Sequence, residues 1–232
     1  MLALLVMMLF PSQLAWAQSA CQSNEKSSCA VYSDCIEANC NCAATSHNYS
    51  GTFGPKYCTR FGAESSFSAN GSAWRDKTLL CLKDRISQAY VAHSDGSGKG
   101  CDCAAIQAAA IDSHSSCYLD TPSFCQLSQA DVRVLARIVD TPDIAKLGFP
   151  GLREMGIVLA TCYWEEGKDV GDELARAFVD ETVAENTEIA QDVALTIISH
   201  AIEYAVERAK AEAATALRQL FDDYFPNEIP RG

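Results

Sequence analysis

The chain has 232 residues, 12 of them cysteine, and a formal net charge of −12, of which residues 1–127 contribute −2 and residues 128–232 contribute −10. So acidic a chain has no counterion-release drive toward nucleic acid and no attraction to anionic lipid, which excludes nucleic acid and membrane surfaces as expected partners. Beyond the first 17 residues no stretch is long and apolar enough to span a bilayer.

Residues 1–17 carry no charged side chain and contain the apolar run Leu2 to Phe10, then Pro11 and the small-x-small triplet Ala15-Trp16-Ala17. The run is short for a spanning helix, which needs about 20 apolar residues. The pattern predicts a signal peptide over 1–17, cleaved after Ala17. The alternative of a lipidated Cys21 is disfavoured, because Gln18-Ser19-Ala20 lacks the usual Leu three residues before the cysteine. Export places the cysteines in an oxidising compartment, where they read first as disulfides. Cys21, Cys29, Cys35, Cys40, Cys42, Cys58, Cys81, Cys101, Cys103, Cys117 and Cys125 are therefore expected to be bridged, with Cys162 standing apart. The close pairs Cys40-Asn41-Cys42 and Cys101-Asp102-Cys103 do not fit zinc, whose ligands are normally spaced by two to four residues. No metal or cofactor is expected.

Trp74, Leu79, Leu80, Leu82, Ile86 and Tyr90 recur as one face of a helix over 72–90. Residues 94–100 (SDGSGKG) read as a loop, Ala104 to Tyr118 as a second helix, and Thr121-Pro122 as its end. Ser128-x-x-Asp131 predicts an N-cap before Val132, Leu135 and Ile138. Thr141-Pro142 and the turn Gly148-Phe149-Pro150-Gly151 stop that helix, and a further one is predicted from Leu152 to about Glu165. From Asp172 to Pro226 there is neither Gly nor Pro, and an apolar stripe through Ile189, Val193, Ile197, Ala201, Ala205, Leu217 and Leu220 predicts one helix of thirty or more residues. The fold expected is all-α: a disulfide-rich helical domain with a long C-terminal helix. Its parts are the signal peptide (1–17), a cysteine-rich helical module (18–127) and an acidic helical region (128–232) packed with it as one domain.

Catalytic signatures are sparse. The four histidines (His47, His93, His114 and His200) form no His-Glu-x-x-His pair, and there is no Gly-x-Ser-x-Gly elbow. His114-Ser115-Ser116-Cys117-Tyr118 resembles the catalytic helix of secreted phospholipases A2, but Ser115 stands where that family has its Asp. No upstream Gly-rich calcium loop matches either. A hydrolase centred on His114 is thus the alternative reading, and a non-enzymatic role is preferred. Asn48-Tyr49-Ser50 and Asn70-Gly71-Ser72 are N-glycosylation sequons in polar surroundings.

The cysteine region is similar to that of the stanniocalcins. The resemblance is carried by Tyr57-Cys58, Phe61, Gly71, Trp74 and Leu79-Leu80-Cys81-Leu82, with 22 residues between Cys58 and Cys81. It continues through Cys103, Cys117-Tyr118 and Cys125, and covers Cys35 to about Glu166. It implies a secreted, helical glycoprotein hormone that binds a receptor or target enzyme, is linked to calcium and phosphate homeostasis, and inhibits a metalloprotease. It also implies a disulfide-linked homodimer. By that resemblance Cys162, amid Leu159-Ala160-Thr161-Cys162-Tyr163-Trp164-Glu165-Glu166, is the candidate interchain cysteine. Pairing of Cys162 with an N-terminal cysteine is the alternative, favoured by parity, since removing it leaves an odd 11. A cysteine-rich structural or interaction protein without a hormone-like role is a further possibility at this stage.

Overall fold

The computed structural model describes residue 21 and residues 28–95, 100–184, 187–226 and 228. The predicted signal peptide and the Gln18-Ser19-Ala20 triplet lie outside the described residues, as do residues 96–99 of the predicted loop. A π-helical segment, Val31–Glu37, runs into a single α-turn, Ala38–Cys40 (α1), and a 3-10 turn, Cys42–Ala44. There follow α2 (Phe53–Ala63), α3 (Ala69–Ala92), α4 (Cys103–Asp112) and α5 (His114–Leu119). After a 3-10 turn at Phe124–Gln126 come α6 (Gln129–Ile138), α7 (Thr141–Glu165), α8 (Lys168–Val183), α9 (Glu188–Glu207) and α10 (Ala211–Tyr224). The fold is all-α, and the described residues contain no strand beyond an isolated bridge between Ser94 and Cys101.

All twelve cysteines are paired within the chain: Cys21–Cys35, Cys29–Cys58, Cys40–Cys101, Cys42–Cys103, Cys81–Cys117 and Cys125–Cys162. This corrects the expectation of an interchain bridge. Cys162 is fully buried on α7 and closes onto Cys125, so its sulfur is neither exposed nor free to reach a second copy. The bond to Cys35 likewise leaves Cys21 no thiol to lipidate. The two close pairs turn out to be matched rungs. Asn41 adopts the left-handed conformation (φ 53°) between α1 and the 3-10 turn, while Asp102 caps α4 by accepting from the Ala105 N–H at 3.0 Å. Two short turns are thereby stapled face to face.

The long C-terminal helix is also corrected. It is three helices. Thr187 takes extended backbone and its hydroxyl accepts from Ala190 N–H at 3.1 Å, so α9 starts anew there. Ala209 enters the left-handed region (φ 56°) and ends it. Folding back lets all three helices bury their apolar faces on α7, with α9 nearly encircled: Val193, Ala194, Ile197, Ile198, Ala201 and Ile202 are each no more than 2% exposed. Gly156 of α7 makes this contact close, since a Cβ there would lie 2.8–2.9 Å from His200 Cβ and from the α9 backbone at Ile197 and Ala201. The predicted Gly148–Gly151 turn survives as a kink within α7, because Gly148 holds φ 65°, ψ −162°.

Two hydrophobic cores result. The larger joins α2, α3 and α6–α10; the smaller gathers Tyr32, Ile36, Tyr49, Ile86, Ile106 and Ile111 around the N-terminal disulfides. The start of α3 is fixed to the start of α6 through Asp131, which is 2% exposed. Its carboxylate accepts from Ser68 N–H (2.7 Å), Ser68 Oγ (2.8 Å) and Ser128 Oγ (2.6 Å), and both serines are themselves N-caps.

Candidate functional site

Between the two cores lies a partly enclosed cavity of about 100 Å³. Tyr32, Tyr49 and Ile111 face it from the smaller core, and Tyr57, Phe61, Leu79 and Leu135 from the larger. The first two turns of α7 close one side through Ile144 and Leu147, just ahead of the Gly148 kink. The wall is mostly apolar, with His114 and the buried Glu154 carboxylate as its ionisable members besides the tyrosines.

Three elements place that histidine. Cys117–Cys81 ties α5 to α3. The Trp74 indole N–H donates to the Tyr118 carbonyl at 3.1 Å, with its ring edge-on to Tyr118 and Phe124. From α7, buried Glu154 accepts the Ser115 backbone N–H at 3.0 Å. The His114 Nδ1 lies 2.9 Å from the Ala110 carbonyl and 3.0 Å from that of Ile111. Two carbonyl acceptors require a donor, so Nδ1 carries the proton and Nε2 presents its lone pair. Burial pushes the imidazole pKa below its ordinary value, which keeps this neutral tautomer populated at neutral pH, although the two carbonyl bonds pull the other way.

Nε2 faces the Tyr49 hydroxyl at 3.4 Å, the far limit for an O–H donor. Tyr49 is fixed independently: its N–H donates to Gln107 Oε1 at 3.2 Å, and neighbouring Ser50 Oγ donates to Glu37 at 2.5 Å. Burial raises the Tyr49, Tyr32 and Tyr118 phenols above their usual range, and ionising either Tyr32 or Tyr118 would further oppose ionisation of Tyr49, so all three are neutral. No carboxylate hydrogen-bonds to the His114 ring, and the hydroxyls of Ser113 and Ser116 are spent on the carbonyls of Ala110 and Ser113. The arrangement is a hydrogen-bond acceptor in an apolar chamber, without the nucleophile–base–acid relay of a serine hydrolase.

The other sequence candidates lie elsewhere. Asn48 is half-buried at the turn before Tyr49, where its carbonyl receives Gly51 and Thr52 N–H. Asn70 is exposed in the first turn of α3, its Nδ2 donating to the Gln126 carbonyl at 2.9 Å. His200 lies on α9, beside Glu203. Tyr49 and Glu154, which build the site, gave no signal in the sequence: Tyr49 sits inside a polar sequon, and Glu154 looks like one more acid on a charged helix. Among the described residues no group of His, Cys, Asp and Glu side chains could hold a metal ion, and no helix is long and apolar enough to cross a membrane. No family model, curated protein or solved structure matches the chain.

Proposed function

We propose that the chain is an extracellular glycoprotein of stanniocalcin type that acts by binding another protein, in hormone-like signalling linked to calcium and phosphate homeostasis. The observation that carries the reading is the cysteine ladder Cys58, Cys81, Cys117 and Cys125, whose spacing resembles that family and whose members all close within the chain. Six disulfides fit an oxidising compartment. The exposed Asn70 amide suits glycan attachment during export, with its bond to Gln126 given up, and half-buried Asn48 suits attachment before the chain folds. Binding is favoured over hydrolysis because His114 offers Nε2 to a phenol and Nδ1 to backbone carbonyls, which leaves no activated nucleophile beside it.

Expression of the full chain in a eukaryotic secretory host tests this. The protein is expected in the medium, shortened in apparent mass by N-glycosidase, and able to form a saturable complex with an extracellular metalloprotease and inhibit it. Retention of folded protein inside the cell, or absence of any such complex together with ester hydrolysis that His114→Ala abolishes, overturns the proposal in favour of the hydrolase reading.

A further inference from the structure

The chamber between the two cores has the attributes of a built ligand site. Its walls are held apart by covalent bonds. Cys58 lines it and is tied to Cys29, and α5 on the polar side is tied to α3 by Cys81–Cys117. Such crosslinks limit how far these walls can move, and a preformed apolar pocket with few convergent polar groups is the usual form of a small-molecule site. An enclosed apolar cavity of about 150 Å³ in an engineered protein holds benzene; the space here is smaller, about 100 Å³, but only partly enclosed, so a single small ring is the most it takes.

Besides the tyrosines, two ionisable side chains line it, His114 and Glu154, and the Glu154 carboxylate already accepts the Ser115 N–H. His114 Nε2 is an acceptor by tautomer, since Nδ1–H is engaged by the carbonyls of Ala110 and Ile111. Its one protein partner, the Tyr49 hydroxyl, stands 3.4 Å away. An O–H···N bond of ordinary strength is several tenths of an ångström shorter, so the acceptor is under-used in the protein alone. The aromatic rims of Tyr49, Phe53 and Tyr118 surround it, with Tyr49 and Tyr118 edge-on to the imidazole at ring-centre distances of 6.1 and 5.6 Å. Such a pole selects a molecule that brings a donor of its own and an apolar ring behind it.

We propose that this cavity binds a small phenol or aromatic alcohol, the hydroxyl donating to His114 Nε2 and the ring packed between Tyr57, Leu79 and Leu135. A carboxylate does not suit the site, because it brings no proton to Nε2 and would be buried without a cation. A plain hydrocarbon fits the walls but leaves the acceptor unsatisfied.

The test uses p-cresol and toluene, which differ by the hydroxyl, with the full secreted chain at neutral pH. Titration calorimetry and ligand-observed NMR are expected to show saturable binding of p-cresol, roughly tenfold tighter than toluene, as one hydrogen bond to a buried acceptor allows. His114→Phe keeps the ring volume and is expected to bring the two ligands to parity. Ile111→Phe narrows the chamber and should weaken binding of both; Leu79→Phe does the same from the opposite core should the first variant fail to fold. Intermolecular NOEs between the ligand and the His114 ring protons locate the bound molecule independently of any variant. The proposal is overturned by absence of saturable p-cresol binding at millimolar concentration, by equal affinity for toluene, by an unchanged preference in His114→Phe, or by saturation without NOEs to His114.

Discussion

Cys125–Cys162 decides between a covalent dimer and a monomeric frame, and its removal has a calculable cost. The bond joins the 3-10 turn after α5 to the buried last turn of α7 and closes a loop of 37 residues. In the chain-entropy description, opening a loop of that length releases about 3.8 kcal/mol of denatured-state entropy at 25 °C. Both sulfurs are at most 2% exposed, so paired alanines also lose a small amount of packing. For a chain of this size each kcal/mol shifts the melting temperature by about 2–4 °C, so Cys125→Ala/Cys162→Ala is expected to melt about 8–15 °C below the wild type. Paired replacement matters, since a single substitution leaves a thiol able to exchange with other bonds. Scanning calorimetry reads the stability, and peptide mapping without reductant reads the connectivity. Gel mobility should be that of a monomer with and without reductant. Recovery of a Cys162–Cys162 crosslinked peptide, or a double variant that melts within 2–3 °C of the wild type (under about 1 kcal/mol), would refute the reasoning.

The rungs Cys40–Cys101 and Cys42–Cys103 each close 61 residues, but once one has formed the other closes only a few; removing either pair should cost about 2 kcal/mol and removing both about 6, more than the sum of the two single removals, a non-additivity that denaturant unfolding of the three variants measures. Asp131→Ala frees two N-cap serines and strips three hydrogen bonds from a buried junction, so a loss of about 2–4 kcal/mol is expected in urea unfolding, with Asp131→Asn intermediate. Acid should weaken the fold in two steps. The His114 pKa lies below 6.5 in the native state because of burial, so below about pH 6.5 the unfolded chain binds the proton first and stability falls, a step that His114→Phe removes. Asp143 is held well below 3.8 by Lys146 and Lys56 and Asp140 is lowered by Arg60 and Lys56, so the stability they give is present above about pH 4 and lost as pH falls further. Asp143→Asn shrinks that second step in a series of urea midpoints.

Periodicity made the helical class and the individual faces legible. Trp74, Leu79 and Ile86 do face the core on α3, and Ser128 does cap α6. Lys83 was hidden because a charge interrupts the stripe, yet it is 6% exposed and its ammonium donates to the Ser28 carbonyl at 3.0 Å. The division of the C-terminal segment could not be read, since no Gly or Pro marks it: Ala209 takes a positive φ that only tertiary packing of α10 on α7 and α8 can enforce. Asp131 was read as a local capping acid, whereas its carboxylate reaches Ser68, 63 residues away. Connectivity among twelve cysteines was beyond the sequence for the same reason; spacing along the chain does not report proximity across it. The His114 motif was visible, but its meaning depended on Tyr49, Ala110 and Ile111, which only folding assembles.

The chamber itself sets a last constraint. Residual apolar cavity costs about 24 cal/mol per Å³, so about 100 Å³ corresponds to about 2.4 kcal/mol of stability forgone. A frame held by six disulfides can carry such a deficit where a smaller uncrosslinked core could not. Partly filling the space should stabilise the protein while weakening ligand uptake. Ile111→Phe starts from a residue 4% exposed on the chamber wall and adds three carbons, about 25 Å³; at about 24 cal/mol per Å³ the gain expected is at most about 0.6 kcal/mol, or a melting temperature about 1–2 °C higher. Stabilisation with weaker p-cresol binding is the joint signature of a functional cavity, in the way active sites commonly trade stability for occupancy. A loss of more than about 2 kcal/mol in both Ile111→Phe and Leu79→Phe would instead mean overpacking. The space between the two cores would then already be filled by the protein's own side chains in solution.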